Sequence, residues 1–95
     1  MKKVEVISAR QFLKSISAFD LIKTAGVKGT VISAVNLKGA IKIVFNPYNP
    51  HNKQDDNELV VNKNAAFIRL KIHPGVRLIA FALNGDMYAI YKRKI

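Results

Sequence analysis

The first apolar residues that keep a period along the chain are Phe12, Leu13, Ile16, Phe19 and Ile22, spaced as on one face of an α-helix. Ser8-Ala9-Arg10-Gln11 stands just before them and fits a capping box. In that motif the Ser hydroxyl accepts from the amide three residues on, and the Gln side chain reaches back to the Ser amide. Lys23 would lie in the last turn and Gly26 suits a left-handed residue after the helix end. The spacing therefore predicts one amphipathic helix over 9–25. Ser17-Ala18-Phe19-Asp20 is a second cap-like sequence that would divide it into two. Residues 4–7 read as a short strand ahead of it.

Beyond Gly26 the punctuation is that of a sheet. Residues 27–35 and 40–45 are rich in β-branched and aromatic side chains, and Asn36-Leu37-Lys38-Gly39 joins them as a hairpin loop. Residues 46–57 are an unbroken run of polar and turn-forming residues, hence an exposed loop. Short strands follow at 58–62 and 65–72, and His73-Pro74-Gly75 turns the chain into a strand at 76–83. Asn84-Gly85 is the dipeptide that a two-residue type I′ hairpin demands, and it leads into a last strand at 86–94.

That turn sets a register. Leu83 faces Asp86, Phe81 faces Tyr88 and Ile79 faces Ile90, so one face carries Ile79, Phe81, Tyr88 and Ile90 flanked by Arg77 and Lys92. The other carries Leu78, Ala80, Ala82, Met87, Ala89 and Tyr91. A hairpin apolar on both sides belongs in the middle of a sheet. Its alanine-rich face is small enough for the stripe Phe12, Ile16 and Phe19 to approach closely, which leaves the opposite face to be covered by a curled sheet or by a partner. The expected fold is α+β: one main N-terminal helix on a bent, mostly antiparallel sheet of five to six strands, able to curl into a partly closed barrel. No repeat, linker or change of composition divides residues 1–95, so a single domain is expected.

Charge changes the picture most. Sixteen Lys and Arg face six Asp and Glu, a formal net charge of +10, and three of the six acids crowd into Asp55, Asp56 and Glu58. Such an excess repels itself in a compact chain, and a polyanionic partner relieves that repulsion. The absence of cysteine rules out disulfides and thiolate metal sites and fits a reducing compartment. The longest apolar run, 78–83, is six residues, against about 20 for a bilayer span. No apolar segment of signal-peptide length follows Lys2-Lys3. A cytoplasmic protein with no membrane association is expected.

Nucleic acid is the expected partner, DNA or RNA. Alternation along 65–72 puts Phe67, Arg69 and Lys71 on one side of the strand, with His73 continuing the row, and Ala66, Ile68, Leu70 and Ile72 on the other. An aromatic followed by cations on one sheet face is what a single-strand platform needs, Phe67 stacking a base while Arg69 and Lys71 neutralise phosphates. Arg77 and Lys92 extend that set. Lys28, Lys38 and Lys42 on the first hairpin form a second tier, and Tyr48 offers a second stacking surface. The closing Lys92-Arg93-Lys94 also reads as a charged edge that discourages strand pairing between copies.

Catalysis finds less support. His73 beside Arg69 and Lys71, with Tyr88 or Tyr91 near, would suit a metal-free ribonuclease, but a turn histidine ahead of Pro74 is the simpler account. His51, Asp55, Asp56 and Glu58 lack the central Gly of a calcium loop and match no zinc spacing. No phosphate-cradling glycine pattern and no hydrolase or kinase signature occurs. The expectation is a non-catalytic nucleic-acid-binding protein without cofactor or metal. The alternatives are an assembly subunit, of the kind viruses and mobile elements use, that forms a homo-oligomer through sheet face or edges, and third the ribonuclease.

Overall fold

A computed structural model describes residues 3–24, 26–48, 57–73 and 76–93. Among these the chain forms β1 (Lys3–Ile7), α1 (Ala9–Ser15), β2 (Leu21–Thr24), β3 (Val27–Leu37), β4 (Ala40–Pro47), β5 (Glu58–Asn62), β6 (Phe67–His73), β7 (Val76–Leu83) and β8 (Asp86–Arg93). The strands make one sheet in the order β1-β6-β7-β8-β2-β3-β4-β5, every pair antiparallel. The fold is mostly β with one short helix, and the sheet is open rather than a closed barrel. It has eight strands where five or six were expected.

The capping box forms as the sequence predicts. The Gln11 amide donates to Ser8 Oγ at 3.1 Å and the Ser8 amide donates to Gln11 Oε1 at 2.9 Å. The helix nevertheless ends at Ser15 instead of running to 25. Ile16 already has an extended backbone, with ψ at 132°. Residues 17–20 then turn, the Ser17 amide donating to Asp20 Oδ2 at 2.8 Å. Ile22 therefore enters the core from β2, wedged between β8 and β3, and not from a helix face. Pairing on both edges of 21–24 supplies more than a further turn of helix could, so tertiary context overrides the local period.

The Asn84-Gly85 turn has φ of 52° and 84° at its two residues, both positive as a type I′ hairpin requires. It sets Leu83 against Asp86, Phe81 against Tyr88 and Ile79 against Ile90, in the predicted register, with β7 and β8 central in the sheet. The helix lies on the other face from the one expected. Phe12 meets Phe67 and Phe81 at 4.4 and 5.3 Å between ring centroids, so the aromatic face is the covered one. On the alanine-rich face Met87 is exposed and Ala80 is buried.

One core cluster holds Phe67, Phe81 and Ile90 from one half of the sheet together with Ile41, Ile43, Phe45 and Val61 from the other. Strands lie about 4.8 Å apart, so a flat sheet of this order would keep those groups well separated. The sheet must bend over on itself. Two irregularities serve that bend: a register shift between Val31 and Ser33 in β3, and another between Lys71 and His73 in β6.

Candidate nucleic-acid interface

Three rows cross β1, β6, β7 and β8 on the core-facing side. The innermost is Ile7, Phe67, Phe81 and Tyr88; the next is Glu5, Arg69, Ile79 and Ile90; the outermost is Lys3, Lys71, Arg77 and Lys92. A single face thus passes from hydrophobic core to a rim of three cationic side chains in register, Lys71, Arg77 and Lys92, with the Lys3 backbone at the next register position. With about 4.8 Å between strands, the four backbone positions span about 14 Å. Like charges directly opposite one another destabilise a sheet, so this row works against the fold that carries it.

The rim cations differ in what holds them. Lys71 and Arg77 are exposed, and neither has an ion-pair partner among the described residues. Lys92 is half-buried, its Nζ donating to the Ser15 carbonyl at 2.9 Å and to Ser17 Oγ at 2.8 Å. It therefore also caps the carbonyl end of α1, where positive charge is favourable.

The sequence-predicted residues are dispersed. Phe67 is 1% exposed, under Phe12, so its ring is not available to a base. The alternation was read correctly along β6, but its aromatic end faces the helix and only its cationic end faces solvent. Arg69 Nη2 lies 3.0 Å from Glu5 Oε2, which neutralises it. Lys42 Nζ lies 3.5 Å from Glu58 Oε2, a partly exposed pair of small energetic value. Lys28 and Tyr48 are neighbours, the Tyr48 amide donating to the Lys28 carbonyl at 2.9 Å, and the Tyr48 ring is exposed. Lys38 sits in the β3–β4 turn, about 30 Å along β3 from Lys28 at 3.3 Å per residue. The structure brings together Lys71, Arg77 and Lys92 and leaves the second tier apart. Lys94, His51, Asp55 and Asp56 lie outside the described residues, as do the side chains of Lys3, His73 and Arg93. Tyr88 is in the core, stacked on Phe81 at 5.3 Å.

Sequence reasoning missed Phe19 and Lys23 as site residues and named Tyr91 only beside His73 in the ribonuclease reading. Next to the Lys92 end of the row lies a groove of about 840 Å³ lined by Phe19, Leu21, Lys23, Val76, Tyr91 and Lys92 among others. Lys23 Nζ stands 5.4 Å from the Tyr91 ring centroid, within cation–π range, and its register partner across the sheet is Lys28. Assigning 9–25 to a helix hid this group, because it turned Phe19 into a core-facing stripe residue and left Leu21 and Lys23 without the β8 partner that carries Tyr91. Among the described residues no helix is long and apolar enough to cross a membrane. No protein family, curated protein or solved structure matches this chain.

Proposed function

We propose that this protein binds nucleic acid without catalysing its reaction, holding backbone phosphates along the Lys71, Arg77 and Lys92 rim. The observation that carries this reading is the in-register row itself. Cations stacked across adjacent strands, two of them exposed and without an ion-pair partner among the described residues, lower their mutual repulsion when a polyanion lies along them. A line of one sign also matches the linear charge of a sugar-phosphate chain better than it matches a compact acidic ligand.

The test is a titration of labelled single- and double-stranded oligonucleotides at several salt concentrations. Three to four phosphate contacts predict a log–log salt slope of about −2 to −3 on a single strand, at about 0.7 per contact. Lys71→Ala and Arg77→Ala should each flatten that slope by about 0.7 unit on a single strand. Lys38→Ala, at the far turn, should leave it unchanged. Weak binding with no salt dependence would overturn the reading.

A second reading rests on a different observation. The outer face of β1 and β6 to β8 carries Val4, Val6, Ile68, Leu70, Leu78 and Met87; Val4, Val6 and Met87 are exposed, Val6 at 82%, and the other three are half-buried. An apolar sheet face of that extent is what an assembly subunit would cover by self-association. Light scattering distinguishes the two: a closed oligomer with no affinity for oligonucleotides favours assembly, a monomer with salt-dependent binding favours the rim.

A further inference from the structure

Phe19 is held in a conformation its side chain opposes. Its φ is +74°, in the left-handed region where a β-carbon crowds the following carbonyl and bulky residues are rare. No burial offsets this, since the side chain is 84% exposed. The turn around it is tightly fixed: the Phe19 amide donates to the Val31 carbonyl at 2.7 Å, and the Val31 amide donates to the Asp20 carbonyl at 2.8 Å. Glycine would take the same turn without strain. A fully presented aromatic on a strained backbone points to a task outside the fold.

Its surroundings indicate which task. Phe19 lines the groove whose apolar part is Leu21, Val76 and Tyr91 and whose cations are Lys23 and Lys92. Among the described residues Asp20 is the single acid lining it, with Oδ2 engaged by the Ser17 amide. The volume falls within the range of small-molecule sites. Lys92 belongs both to the groove and to the cation row, whereas Leu21, Lys23 and Tyr91 lie on the opposite face of the sheet from that row, so a chain whose phosphates follow the row reaches the groove by passing round the strand ends at Lys92.

We infer that this groove receives an unpaired nucleobase of a bound single strand, stacked on Phe19. The inference rests on the nucleic-acid reading above and adds the strandedness and the stacking residue, a role the sequence assigned to Phe67. A π-face is common to every base, so the groove would discriminate single strands from duplexes more than one base from another.

The experiment compares the native protein with Phe19→Gly, titrating an oligothymidylate, an abasic strand of equal length and thymidine monophosphate. Phe19→Gly should weaken oligothymidylate binding by about 5- to 150-fold, the factor that one stacked base supplies. Its salt slope should not change, and the two proteins should bind the abasic strand equally. Thermal unfolding of Phe19→Gly at the same or a higher midpoint would show that the lost affinity is not lost structure. Oligothymidylate binding unchanged by the substitution, an equal loss on the abasic strand, or a monophosphate that binds as tightly as the strand would each overturn this inference while leaving phosphate binding at the rim intact. Failure of every strand to bind would instead remove the parent reading, and this one with it.

Discussion

Phe12→Ala is expected to cost about 3–5 kcal/mol, the range for removing a buried phenyl ring. Phe12 is wholly buried and is the one buried residue of α1. Its ring lies 4.4 Å from Phe67 and 5.3 Å from Phe81, so its loss opens a cavity under two further aromatics and removes their favourable contacts. A helix of two turns is also unstable alone, and here it is docked chiefly by this side chain. Domains of this kind are stable by about 5–15 kcal/mol, so the substitution removes a large share of the total. Urea denaturation followed by circular dichroism measures it. Phe12→Leu, which keeps most of the volume, should cost less than about 1.5 kcal/mol. A loss for Phe12→Ala no larger than about 1.5 kcal/mol would mean that this side chain is not what holds the helix.

Gly29→Ala is expected to destabilise by about 1–3 kcal/mol, as over-packing of a close contact does. A β-carbon there would stand 2.5 Å from the Asn46 carbonyl oxygen and 2.9 Å from Phe45 Cδ2. The oxygen is backbone and cannot swing aside, and Phe45 is itself buried in the core. β3 and β4 approach this closely where the sheet bends, which is why the position takes no side chain. Gly39 provides the contrast. Its φ is +76° and open space surrounds it, so Gly39→Ala should cost about 1 kcal/mol through conformation alone. Gly39→Asn should recover part of that loss, because Asn tolerates the left-handed region, whereas Gly29→Asn should be worse than Gly29→Ala. Thermal midpoints of the four variants test the assignment of cause.

Local signals in the sequence were sound wherever a short motif decides the geometry. Ser8 with Gln11 and Asn84 with Gly85 each need only their own neighbours, and both formed as read. Residues 16–22 show the opposite. Ile16, Phe19 and Ile22 fit a helical period by coincidence: Ile22 is buried from a strand and Phe19 is in solvent. Only a partner on each side of 21–24 distinguishes the two readings, and those partners, β8 and β3, are set by the whole fold. β6 was ambiguous for another reason. Both of its faces are apolar near Phe67, with Ile68 and Leu70 on one and Phe67 on the other, so alternation could not say which face the helix would take. The candidate site inherits both failures. The cations at the strand ends were identified one by one, but their alignment depends on pairings between β1 and β6 and between β7 and β8 that only the assembled sheet displays.

The strand order also dictates how this chain can assemble itself. Two meanders, β2 to β5 and β6 to β8, join strands that are close in the chain, whereas the seams β1–β6 and β2–β8 join its first quarter to its last third. As the polypeptide leaves the ribosome, the first meander can zip up on its own while Phe12 waits, with no Phe67 or Phe81 yet made to receive it. Topologies dominated by such distant pairings fold in about milliseconds to seconds, far more slowly than helical bundles of the same size. The first helix to be synthesised is therefore among the last pieces to find its seat.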